Sequence, residues 1–273
     1  MADGPGQAAG TVGDMINRPI LIAGLVGPLL LSVGCSGGSS ASEDAGASGG
    51  ASEGADASAG PGLSEVLLLG DSVAAGQALP MAEAFDASGV EFVSEASDGG
   101  GNVVGPFSEK NWEELPERVA DADPDLVVYQ VTTYDWGTAD EQREGYGKLL
   151  TTVTDQGADL VFVTMPPIKP DDFYRPHMDQ LERTSEIAGQ VADSSGDARL
   201  LDAGEVWGDE YQRARDGEPD RSEDGIHTCP QGAARFTQWL LEELSDAYPG
   251  FTPAEPEEWA DAGWSADERF KGC

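Results

Sequence analysis

Apolar residues fill every position of Val66-Leu67-Leu68-Leu69, and Gly70-Asp71-Ser72 follows at once. A run this short, uninterrupted by polar positions and closed by a turn, fits a strand buried on both faces. Four more mainly apolar segments repeat the theme: Val90 to Val93, Asp125 to Val131, Asp159 to Val163 and Ala198 to Leu201. Between them the apolar positions recur at helical spacing, in an Ala-rich stretch after Ser72, in Trp112 to Ala120, in Glu141 to Asp155 and in Met178 to Asp193, and a last helix spans Gln231 to Ala247. Strands alternating with helices predict an α/β fold with a parallel sheet covered by helices on both faces. In such sheets ligands collect at the carboxyl ends of the strands, so the residues just after each apolar run are the candidates for chemistry.

The first 62 residues do not share this pattern. Ile20 to Val33 is an apolar stretch of about fourteen residues, short of the roughly twenty a membrane span needs, and Arg18 precedes it. That suits the apolar region of a signal peptide, with Met15 as the expected true start, because Met1 to Asp14 carries two acids and no base. Leu31-Ser32-Val33-Gly34-Cys35 ends the stretch and resembles the lipobox of bacterial lipoproteins, which implies a lipid on Cys35. The small residues Ser32 and Gly34 also suit ordinary signal peptidase cleavage, and either route exports the protein. Residues 36–62 are Ser, Gly, Ala and scattered acids, a composition that cannot bury enough apolar surface to offset the entropy of ordering, and read as a flexible linker. The expected organisation is a leader over 1–35, a linker over 36–62 and one domain over 63–273.

Charge narrows the partners. Fifteen Lys and Arg stand against 51 Asp and Glu, a net charge of −36. The first 62 residues hold six acids and one base, so residues 63–273 carry −31 and the acidity belongs to the folded domain. A surface of that sign excludes nucleic acid as a partner and leaves a lipid anchor as the only expected attachment to a membrane.

Candidate chemistry sits at two places. After the first strand, Asp71-Ser72 puts a hydroxyl at a strand end, with the serine N–H at the start of a helix, where developing negative charge is stabilised. An Asp-Ser at such a turn is also an ordinary helix cap. The second place is Asp224-Gly225-Ile226-His227 before the last helix. A carboxylate three residues ahead of an imidazole can hold Nδ1–H and leave Nε2 free to take a proton from a serine. His177 either lines the cleft or starts a helix at the surface, and Trp136 either offers a sugar-stacking face or packs in the core. Two distant histidines and the absence of Cys-x-x-Cys point to no metal, no phosphate-binding Gly loop follows a strand, and no cofactor is expected.

The segments LLLGDSVAAG at Leu67 to Gly76 and DGIHTCPQGAARF at Asp224 to Phe236 resemble the first and last blocks of the SGNH (GDSL) esterase family. The resemblance implies a three-layer flavodoxin-like fold, with Ser72 as nucleophile, His227 as base and Asp224 as the acid that orients it. It places an oxyanion hole at the Ser72 N–H and at a glycine N–H among Gly99-Gly100-Gly101, with Gly100 and Gly101 the candidates. The family's third block, normally Gly-x-Asn-Asp, reads Thr132-Thr133-Tyr134-Asp135, so Tyr134 stands where the Asn donor belongs. One lost donor costs about 3–4 kcal/mol, which a Thr133 or Tyr134 hydroxyl would have to replace.

These readings together predict an exported serine esterase or acyltransferase, acting on acyl esters of small molecules or of surface carbohydrate, with acetyl the expected group. The alternative is a non-catalytic surface lipoprotein that binds glycan or protein through the same cleft. With Cys35 assigned to lipid, Cys229 and Cys273 are left as an even pair in an oxidising compartment, and a disulfide between them is expected. A thiol nucleophile at Cys229 is the competing role.

Overall fold

In the computed structural model, which describes residues 62–273, the five apolar runs form the strands of one sheet. They are β1 (Glu65–Leu69), β2 (Glu91–Ser94), β3 (Leu126–Gln130), β4 (Asp159–Val163) and β5 (Ala198–Leu201). The sheet order is β2-β1-β3-β4-β5, with every pair parallel. Cys35, the leader and most of the linker lie outside the described residues.

Alternation within each strand builds two cores. Val66, Leu68, Val128 and Val161 face α1 (Ser72–Ala87) and, near the C-terminus, a long helix Pro230–Ala247 and a short one Pro256–Trp259. Leu67, Leu69, Val127, Tyr129 and Phe162 face α2 (Ser108–Ala122), α3 (Ala139–Thr154) and a helix at Thr184–Ala192. Burial on both faces is why β1, β3 and β4 carry almost no polar alternation, whereas the edge strand β2 exposes Glu91 and Ser94.

The helix expected over Met178 to Asp193 is two helices, α4 (Met178–Glu182) and α5 (Thr184–Ala192). The side chain of Gln142 on α3 donates to the Gln180 carbonyl at 2.8 Å, the acceptor that a continuous helix would offer to the Thr184 N–H. Arg183 at the break donates instead to Gln142 Oε1 and to the Gly137 carbonyl, at 3.1 and 2.7 Å. After β5 come α6 (Gly204–Trp207), a two-stranded hairpin at Ala214–Arg215 and Glu218–Pro219, α7 (Pro230–Ala247) and α8 (Pro256–Trp259), followed by short 3₁₀ turns at Trp264–Ala266 and Glu268–Phe270.

The chain runs from β1 outward to β2 and then returns across β1 to β3, so the crevice beside β1 is the topological switch point of the sheet. The turn after β1 carries Ser72.

Candidate active site

Asp71 caps α1 and fixes the serine. Its Oδ1 accepts from the Val73 N–H at 2.9 Å, and its Oδ2 accepts from both the N–H and the hydroxyl of Thr133 at 2.7 Å each. Burial raises the Asp71 pKa, and the bonds from Thr133 and Val73 oppose that shift. The capping role read from the sequence is therefore real, and it coexists with the placement of Ser72 beside it.

Ser72 Oγ lies 2.8 Å from His227 Nε2, and His227 Nδ1 lies 2.7 Å from Asp224 Oδ2. Asp224 Oδ1 accepts from the N–H groups of Ile226 and His227 at 2.7 and 3.0 Å, which shapes the turn that presents the imidazole. Burial pushes the Asp224 pKa up, but the bonds from His227 and Ile226 outweigh it and hold the carboxyl below its ordinary value. A charged carboxylate on Nδ1 is the condition for Nε2 to act as a base toward the serine. The three residues read as a triad from the sequence thus meet across 155 residues of chain.

Gly101 borders the same turn. Its φ is +78°, and a Cβ there would stand 2.0 Å from the Gly70 carbonyl oxygen, so only glycine brings this loop against the turn that carries Ser72. Gly100 precedes it and is buried, whereas Gly99 is exposed with nothing near its Cα substituent position. Gly101 is thus the glycine packed directly on the turn, with Gly100 beside it. The Thr133 hydroxyl is committed to Asp71, and the Tyr134 ring lies among Phe107, Trp136, Phe173 and Tyr174 with centroids 5.7–6.3 Å away. Phe107 and Phe173 are 54% and 51% exposed. His177 stacks on Trp136 at 4.1 Å with the rings 7° from parallel, so both residues belong to this aromatic cluster.

Three residues that sequence reasoning passed over hold the site together. Asp135 is buried and accepts from the Thr132 N–H at 2.9 Å, the Tyr129 hydroxyl at 2.7 Å and the N–H groups of Val103 and Val104 at 3.2 and 3.3 Å. Burial pushes its pKa up to about 6 against those four bonds. It clamps the loop after β2 to the loop after β3. Asp135→Asn, which turns an NH₂ group toward donors, is expected to cost about 2–3 kcal/mol in urea unfolding and to lower activity; unchanged stability would remove this role.

Arg221, 2% exposed, donates to the Pro167 carbonyl at 2.6 Å and to the Ile226 carbonyl, tying the Asp224–His227 turn to the segment after β4. Burial lowers its pKa to about 10. Arg269 forms a bidentate pair with Asp98 at 2.5 and 3.1 Å, beside Ser72 and His227. Acid-rich surroundings hide both arginines in the sequence, since neither lies in a recognisable motif. Cys229 and Cys273 form the expected disulfide, with Cα atoms 5.6 Å apart.

No protein-family model and no curated protein sequence matches this chain. Solved structures do resemble it. A catalytic mutant of an acetylxylan esterase from Geobacillus stearothermophilus is 13% identical, with a TM-score of 0.50 over 69% of this chain and 95% of that one. A GDSL-like lipase from Bacteroides thetaiotaomicron is 12% identical, with a TM-score of 0.50 over 67% and 88%. A carbohydrate esterase family 3 protein from Talaromyces cellulolyticus is 15% identical, with a TM-score of 0.50 over 69% and 100%. At such identities the likeness is one of architecture, and the chain has the three-layer α/β fold of the SGNH (GDSL) hydrolases.

Proposed function

We propose that this protein is an exported serine esterase of the SGNH type that removes small acyl groups, acetyl foremost, from carbohydrate. The observation that carries the reading is the continuous relay from Ser72 Oγ through His227 to Asp224 at 2.8 and 2.7 Å. Ser72 Oγ attacks the ester carbonyl carbon as its proton passes to His227 Nε2, and the Asp224 carboxylate stabilises the imidazolium. The carbonyl oxygen, now negative, takes hydrogen bonds from the Ser72 N–H at the start of α1 and from a glycine N–H of the Gly100-Gly101 loop. Collapse of the tetrahedral species breaks the ester C–O bond, and the imidazolium returns its proton to the departing alcohol. Water, deprotonated by His227, then releases the acyl group from Ser72. A sugar hydroxyl arriving in place of water makes the same chemistry a transfer.

Two features support carbohydrate as the alcohol. Aromatic faces suit the apolar faces of sugar rings, and the cluster of Tyr134, Trp136 and Phe173 begins one residue from Thr133, which touches Asp71. Two of the proteins that share the fold bear the names acetylxylan esterase and carbohydrate esterase. Attachment to the outer side of the cytoplasmic membrane through a lipid on Cys35 completes the proposal. A fluorophosphonate probe tests the catalytic core directly: it is expected to label the purified protein on Ser72, identified by peptide mass, and to leave Ser72→Ala unlabelled. Absence of labelling on the wild type would favour a glycan-binding protein without turnover.

A further inference from the structure

The strongest unassigned feature is a small cleft beside Ser72 whose walls include none of the aromatic cluster around Tyr134. It has a volume of about 160 Å³ and is lined by Ser72, His227 and Thr228, by Gly76, and by Asp98 with Arg269 and Phe270. A larger cavity of about 570 Å³ borders Trp112 and Trp136 but touches no member of the triad. At roughly 30 Å³ per water molecule the small cleft holds about five waters, room for a short chain and too little for a drug-sized ligand of about 300 Å³ or more.

Its walls come from an unusual source. Gly76 is one helical turn beyond Ser72 on α1, so both project from the same face of the helix. Glycine weakens a helix interior, and a Cβ at this position would extend toward the Thr228 hydroxyl at 3.7 Å, into the cleft's own wall. The opposite wall is the C-terminal strap. Phe270 is buried, Arg269 is paired with Asp98, the Glu223 N–H donates to the Gly272 carbonyl at 2.9 Å, and Cys273 is bonded to Cys229. Three attachments therefore hold Phe270 beside the triad.

We propose that this cleft is the acyl pocket and that Phe270 and Gly76 set the length of acyl chain the enzyme accepts, with a limit near four carbons. The inference rests on the esterase reading and adds the residues that choose the acyl group. An ester has two arms diverging from the carbonyl. The cleft of about 160 Å³ takes the acyl arm, and the side past Thr133, with its half-exposed rings, takes the sugar arm. The strap thereby becomes a specificity element in addition to a staple.

The test is kcat/KM for p-nitrophenyl acetate, butyrate and hexanoate on the purified protein. Wild type should lose at least tenfold between butyrate and hexanoate. Phe270→Ala should raise the hexanoate-to-acetate ratio at least tenfold. Gly76→Ala, which favours the helix and so does not rely on a weakened strap, should move the profile the opposite way, lowering the butyrate-to-acetate ratio at least fivefold. Both variants active with profiles that superpose on the wild type would overturn the pocket assignment while leaving the esterase intact. A wild type that neither hydrolyses any of the esters nor takes a fluorophosphonate label would overturn the esterase reading, and the pocket with it.

Discussion

Replacing Ser72 by alanine is expected to reduce kcat for a short-chain aryl ester by about 10⁴-fold or more, with little change in thermal midpoint. The hydroxyl's hydrogen-bond partner is His227 Nε2 at 2.8 Å, and the turn itself is fixed by Asp71 through Val73 and Thr133, so the fold does not depend on Oγ. His227→Ala should fall nearly as far, because a nucleophile without its base is as ineffective as a base without its nucleophile. Asp224→Asn should also lower kcat by about 10⁴-fold, since the amide oxygen still accepts from the Ile226 and His227 N–H groups while its NH₂ faces Nδ1 and forces the imidazole proton onto Nε2. The double variant Ser72→Ala with His227→Ala should be no worse than either alone, the mark of residues acting as a unit. A Ser72→Ala protein that retains wild-type turnover would sink the mechanism.

What the sequence revealed and what it hid divide along the distance between partners. The strands β1, β3 and β4 were legible because burial on both faces demands apolar residues at consecutive positions, and the edge strands β2 and β5 followed from shorter, mixed segments. The place of Ser72 at a strand end was legible because a strand, a tight turn and a helix follow one another locally. Asp224 and His227 were legible because three residues separate them.

Asp135 was not: its value lies in receiving the N–H of Val103, 32 residues away, and nothing local marks an aspartate as a clamp. Arg221 reaches the Pro167 carbonyl across 54 residues, and Arg269 reaches Asp98 across 171. The aromatic neighbours of Tyr134 come from loops that sequence order does not bring together. The break at Arg183 likewise depends on a glutamine of another helix.

Breaking the Cys229–Cys273 bridge is expected to produce the largest loss of stability. The two residues are 44 apart, and closing a loop of that length is worth about 4 kcal/mol in the chain-entropy model. In a domain of this size each kcal/mol moves the thermal midpoint by about 2–4 °C, so Cys273→Ser should lower it by roughly 8–16 °C. The other attachments cannot make up the difference. The Arg269–Asp98 pair is solvent-accessible, with side chains 39% and 64% exposed, and such pairs contribute about 0–1 kcal/mol. One backbone hydrogen bond from Glu223 to Gly272 adds little more. Holding even a few residues of the strap in place costs about 1–2 kcal/mol each in backbone entropy, so without the covalent link the strap should leave the surface before the sheet unfolds. Cys229 is buried two residues after His227 and immediately precedes α7, hence the same change loosens the turn that presents the imidazole. Activity is therefore expected to fall with reduction at denaturant concentrations where the sheet is still folded, and to return on reoxidation. Alkylation of the purified protein under non-reducing conditions, followed by mass analysis, gives the decisive reading: modified thiols at both Cys229 and Cys273 would mean that the bridge is not part of the native protein.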